Sequence, residues 1–81
     1  MEPLIGIGEV IEHLRGGPSR RAWRRGWNGQ NQVIMLQEPD DHSKMTEPYT
    51  YMFIRVPGST VKRIPWLASQ ADLLADDWEL G

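Results

Sequence analysis

No cysteine occurs among the 81 residues, which excludes a disulfide framework and any thiolate metal site. Only two histidines are present, His13 and His42, too few for a histidine-rich metal centre. No apolar run approaches the roughly 18 residues that span a bilayer, so no membrane association is expected. The N-terminus lacks a basic segment followed by an apolar stretch, the pattern of a secretory signal. The expected compartment is therefore the cytoplasm. A large positive charge is also missing: the formal net charge is −2, which argues against a nucleic-acid polymer as partner.

What is present is unevenly distributed. Arg20, Arg21, Arg24 and Arg25 place four of the nine basic residues within six positions. Asp72, Asp76, Asp77 and Glu79 lie in a tail that has no basic residue after Arg63. A locally positive site on an acidic protein suits a small anionic ligand better than a long polyanion. A chain of this length makes one domain, residues 1–81, near the lower limit for a self-sufficient core. Burial against further copies of itself is a common remedy.

Ile7, Val10, Ile11 and Leu14 recur at helical spacing and predict a short amphipathic helix over residues 7–15, ended by Gly16-Gly17-Pro18. His13 falls on its polar side, where a solvated histidine is expected. Gly6 and Gly8 form no phosphate loop, because no strand precedes them and the third glycine is missing. Asn28-Gly29 between two β-prone stretches predicts a hairpin. If residues 21–27 are extended, Arg21, Trp23, Arg25 and Trp27 share one face, with Ala22 and Arg24 on the other. Arginines interleaved with tryptophans stack on a purine while their forks bind phosphate. The same pattern serves equally for core tryptophans beside a solvated arginine edge. Trp27, beside Arg25 and the Asn28 amide, is the better placed of the two to face a ligand.

Residues 37–48 are polar and turn-rich and predict a loop. Asp40-Asp41-His42 makes a poor metal cluster, since consecutive side chains point apart and no further histidine or cysteine completes a shell. Tyr49 to Val56 is rich in β-formers, Pro57-Gly58 starts a turn, and Val61 to Trp66 pairs back. Alternation sets Tyr49, Tyr51 and Phe53 against Thr50, Met52, Ile54 and Val56. Both faces are largely apolar, as expected if one packs on helices and the other on a second subunit. Ser69-Gln-Ala-Asp72 has capping-box spacing and predicts a helix through about Ala75, anchored by Leu73 and Leu74, with Trp78 landing on the sheet after it. The fold class expected is α+β: a small antiparallel sheet of two hairpins with a short helix near each end, in an oligomer. Ser69 has no base partner, so a serine nucleophile is not expected, and no catalytic residue or cofactor is assigned.

Arg24-Arg25-Gly26-Trp27-Asn28-Gly29, followed by Pro65-Trp66-Leu67-Ala68-Ser69-Gln70-Ala71-Asp72-Leu73-Leu74-Ala75-Asp76-Asp77-Trp78, resembles the Thoeris anti-defence Tad-two-like family of small phage and prophage proteins. The resemblance covers nearly the whole chain. It implies a non-enzymatic sponge for cyclic ADP-ribose isomers made by TIR-domain proteins, with cyclic oligonucleotides bound at a separate site in some members. It further implies dimers paired into tetramers, with pockets between protomers. Trp27 is the contact carried over, with Asn28 beside it; the short acidic 37–48 loop departs from the family and bears on ligand choice. Independently, a pyrophosphate and an adenine call for cationic forks, amide donors and an aromatic face. Arg24, Arg25, Trp27 and Asn28 supply all three. Three alternatives remain open: a phage structural or protein-interaction module using the tryptophans as anchors, a cyclic-nucleotide hydrolase using Asp72, Asp76 or Asp77 as base, and, last, direct DNA binding through the Arg20–Arg25 run.

Overall fold

A computed structural model describes residues 4–27, 31–41, 43–58 and 60–81. Helix α1 (Ile7–Arg15) occupies the predicted span and buries Val10 and Leu14. Gly16 closes it in the right-handed region, its N–H donating to the His13 carbonyl at 3.0 Å. The stop therefore does not use the left-handed conformation for which glycine is usually chosen.

Five strands follow: β1 (Ala22–Arg24), β2 (Gln32–Gln37), β3 (Tyr49–Arg55), β4 (Val61–Pro65) and, after helix α2 (Gln70–Leu74), β5 (Trp78–Leu80). They form one antiparallel sheet in the order β4-β3-β2-β1-β5. The β1–β2 and β3–β4 hairpins were expected; β5 was not. Its three residues are too few to show a period, and its partner β1 lies more than fifty positions upstream. Ile5 adds a parallel bridge to Asp77, tying the segment before α1 to the start of β5. Gly58 supplies the positive φ of 73° that the β3–β4 turn requires.

The core lies on one side of the sheet only. Ala22, Ile34, Met52 and Trp78 point from β1, β2, β3 and β5 toward Val10 and Leu14 of α1. Tyr49, Tyr51 and Phe53 occupy the other face with Val33, Met35 and Trp23, and no described element covers them. The predicted division of β3 into two apolar faces is thus observed, with the helices on one of them.

The predicted anchoring of α2 is corrected. Leu73 is 42% and Leu74 82% exposed, and α2 has no buried residue. Five residues make barely more than one helical turn and offer no continuous stripe to bury. Polar contacts hold it instead. The Ser69 hydroxyl accepts from the Asp72 N–H at 3.1 Å, and the Asp72 carboxylate accepts from the Ser69 N–H at 3.2 Å. The capping box is complete, as the spacing predicts. Trp78 Nε1 then donates to the Asp72 carbonyl at 3.2 Å, fastening the helix to the core.

Candidate functional site

Extension of the arginine-rich segment ends at Arg24, three residues earlier than expected. The Trp27 N–H donates to the Arg24 carbonyl at 2.9 Å, turning the chain over residues 25–27. The shared face of Arg21, Trp23, Arg25 and Trp27 therefore does not exist. Trp23 sits on the uncovered face of the sheet, its Nε1 donating to the Glu79 carboxylate at 3.1 Å. Trp27 is carried to the helix side and packs against the core. The physical cause is the competition between strand pairing and the tight turn: β1 runs along β5 only as far as Trp78, and beyond it the chain must turn toward β2.

The turn is built on an aromatic chain. Trp27 meets Trp78 edge-on, with ring centroids 5.4 Å apart and an interplanar angle of 76°. Trp78 in turn meets Trp66 at 6.0 Å and 89°. Such edge-to-face pairs set the positive ring edge against the negative face. Trp78 is 1% exposed and serves as the hub, while Trp27 stays half-buried. Trp66 is fixed to β3 by two bonds with Thr50: its N–H donates to the Thr50 carbonyl at 3.1 Å, and its carbonyl accepts from the Thr50 hydroxyl at 3.2 Å.

Arg24 points to the same side as Trp78, opposite which it lies in the β1–β5 register. Its Nε donates to Asp77 at 3.0 Å and its Nη1 to Asp72 at 3.1 Å. Both carboxylates thus grip one guanidinium at the base of the turn. Hydrogen bonds to Asp77 first and Asp72 second raise the Arg24 pKa above its ordinary value. The bond from Arg24 holds the Asp77 carboxyl below the usual carboxylate range. For Asp72, burial pushes upward, but the Ser69 N–H and hydroxyl together with Arg24 outweigh it and leave the pKa lowered. Carboxylates stabilised in this way are weak proton acceptors, which counts against the hydrolase reading.

Of the four residues singled out in sequence, the structure brings Arg24, Arg25 and Trp27 together at one turn. Arg24 is committed to Asp72 and Asp77. The Arg25 N–H donates to the Asp77 carbonyl at 3.0 Å, so the turn leaves the β1–β5 ladder at this residue. Asn28 lies outside the described residues. A groove of about 530 Å3 lies away from the turn, between α1 and the ends of β2 and β3, lined by Ile11, Arg15, Leu36, Met45, Thr50 and Trp66 among others. Trp66 and Trp78 separate it from Trp27. The first and last parts of the chain are joined by another contact absent from the sequence reading. His13 is half-buried, not merely solvated, with its Nε2 2.9 Å from the Gly81 carbonyl oxygen. A signal for the Arg24 clamp did exist, namely a cluster of arginines upstream and of aspartates downstream, but composition alone does not pair individual members.

The comparisons with known proteins agree with this frame. A protein of Bacillus phage SP01 named Thoeris anti-defense 2 is 29% identical over 89 aligned positions, which cover 99% of this chain and 98% of that protein. The model of the Tad2-like family, the Thoeris anti-defense 2-like domain, matches residues 5–81, from the bridge at Ile5 to the end of the sheet. The chain belongs to the Tad2-like family of Thoeris anti-defense proteins.

Proposed function

We propose that this protein is a sponge: it binds and sequesters a cyclic ADP-ribose-type signal (glycocyclic ADP-ribose) made by TIR-domain proteins, and releases it unchanged. Cyclic oligonucleotides form a second ligand class under the same reading. The observation that carries it is the Arg24–Trp27 turn of a Tad2-like chain, fixed from behind by two carboxylates and a buried tryptophan. A small anionic ligand with a purine needs a pre-placed aromatic face and positive charge, since ordering them on binding costs affinity. Trp27 supplies the face, Arg25 and the Asn28 amide the polar contacts. Arg24 contributes through its ion pairs, which hold the turn at its base. A tetramer made of two dimers, with pockets between protomers, completes the site in the cytoplasm of the infected host. Among the described residues no helix is long and apolar enough to cross a membrane.

The test is to incubate the protein with the signal, remove unbound material, heat the complex and assay what is released. A sponge yields the intact molecule; a hydrolase yields fragments. Replacing Trp27 with alanine should abolish uptake while leaving the oligomer's mass unchanged, and normal uptake by that variant would remove Trp27 from the site. The interaction-module reading is favoured by one feature, the exposure of Leu67 at 92% and Leu74 at 82% in the stretch between Trp66 and Trp78. It predicts no uptake at all and loss of assembly in the Trp27→Ala variant.

A further inference from the structure

The groove beside α1 belongs neither to the Arg24–Trp27 turn nor to the uncovered face of the sheet. It exists because α1 packs over β2 and β5 and leaves the helix side open beyond Ile11 and Arg15. Those two residues stand one helical turn apart on α1 and form one wall. Leu36 and Thr50, paired across β2 and β3, line its base. Trp66, just after β4, and Met45, from the 37–48 loop, complete the lining. Met45 is 59% exposed, and its N–H donates to the Ser43 hydroxyl at 3.2 Å, which fixes the loop beside the groove. The volume of about 530 Å3 falls within the range of small-molecule sites, about 300–1,000 Å3. The chemistry of the lining is one-sided. It includes no carboxylate, and Arg15 is its one cation. Among the described residues, Arg15 makes no ion pair and the Trp66 indole N–H makes no hydrogen bond. Trp23 and Trp78, by contrast, both donate their indole N–H to protein oxygens. Glu38 adjoins Arg15 in a neighbouring hollow without pairing with it.

We infer that this groove is a binding site for a small aromatic carboxylate, whose flat apolar body packs among Leu36, Met45 and Trp66 while its single negative charge pairs with Arg15. Two unused donors and no lining carboxylate favour an anion over a cation. A lone arginine matches one charge, and its planar fork takes both oxygens of a carboxylate. The remaining walls are apolar, so the body of the ligand must bury hydrocarbon to gain affinity. A ring fits these walls better than an acyl chain does. Indole packs on other rings edge-to-face or offset, and the Met45 thioether makes favourable contacts with ring edges while adapting its shape. A ligand with two or more phosphates would leave charge uncompensated against apolar surface, which sets this site apart from one for a cyclic nucleotide. Trp66 and Trp78 lie between the groove and Trp27, so the two sites fill independently. This inference stands apart from the ligand reading and does not involve the Arg24–Trp27 turn.

The test titrates the full chain with 1-naphthoate and follows amide shifts by nuclear magnetic resonance. Saturable shifts are expected at Leu36, Thr50 and Trp66, and none at Trp23 or Phe53 on the far face of the sheet. Arg15→Gln should weaken 1-naphthoate about tenfold and leave the uncharged 1-naphthamide unchanged. Arg15→Glu should reverse the preference, favouring 1-naphthylmethylamine, a cation of the same shape. Arg15 is exposed, so neither change disturbs the core. Met45→Trp, also at an exposed position, should fill the groove and abolish binding of both naphthyl probes. Uptake of the cyclic ADP-ribose-type signal by Arg15→Gln should match that of the parent. Absence of saturable shifts up to about 10 mM naphthoate would overturn the inference. So would tighter binding of decanoate than of 1-naphthoate, or Arg15 variants that bind both probes as the parent does. Displacement of naphthoate by the signal would place the groove within the signal's own site and overturn a separate one. A fall in the protein's mass in solution on adding naphthoate would mean that a neighbouring chain normally fills the groove, with the same consequence.

Discussion

The two halves of the sheet are held in different ways. Around β1 and β5, every kind of restraint converges: the Trp27–Trp78–Trp66 chain, the Arg24 clamp, the capping box, the Ile5 bridge and the His13–Gly81 contact. At the opposite edge, β4 has no buried residue and is held by its ladder to β3 alone, while β3 is secured by its pairing with β2, by Met52 and by the Thr50–Trp66 bonds. Ile64 points to the helix side, opposite Met52, yet is 47% exposed because α1 packs over β2 and β5 and does not reach β4. The difference shows where a small chain concentrates limited stabilisation: behind the turn proposed to meet the ligand, leaving the other edge for additional contacts.

Substitutions can break this comparison at graded strength. Trp78→Ala removes the aromatic hub and should cost about 3–5 kcal/mol, read as a large fall in thermal midpoint. A change of under about 1 kcal/mol would mean that the hub is not the centre of the core. Arg24→Gln acts on the same half through charge. Asp72 and Asp77 have folded-state pKa values below their unfolded ones, so their contribution is present above about pH 4 and lost as pH falls through the lower folded values. The variant should be less stable near neutrality and should lose less stability on acidification than the parent, in urea titrations at both pH values. An unchanged acid slope would show that the clamp does not contribute. Ser69→Ala should cost about 1 kcal/mol, since it removes the hydroxyl that caps α2. Ile64→Ala, on the lightly held half, should cost about 1 kcal/mol or less. A penalty comparable to that of Trp78→Ala would erase the contrast between the halves.

Local features were legible in the sequence wherever one stretch of chain contained both partners. The α1 span followed from apolar spacing, the β3–β4 hairpin from its Pro57-Gly58 turn, and the α2 start from Ser69 and Asp72. Misreadings arose where a local pattern competed with a distant one. Extrapolating alternation through Trp27 failed because β1 ends where its pairing with β5 ends. Leu73 and Leu74 read as anchors because they are apolar, yet a single turn had polar contacts enough to hold it. The grouping of Arg24, Arg25 and Trp27 at one turn survived, but for Arg24 the phosphate fork foreseen in the sequence is occupied by carboxylates.

The sequence alone determined the α+β class, the spans of α1, β3, β4 and α2 to within a residue, and the family. Each depends on periodicity, turn chemistry or ordered identity along the chain. Tertiary structure decided which aspartates hold Arg24, that Trp78 is the hub between two other tryptophans, and that Trp78–Leu80 forms a fifth strand beside β1. The Arg24 pairings span 48 and 53 positions, and the His13–Gly81 contact spans 68. They arise only when the sheet order brings the two ends of the chain together, because side-chain attraction at such separations in sequence has no counterpart in local pattern.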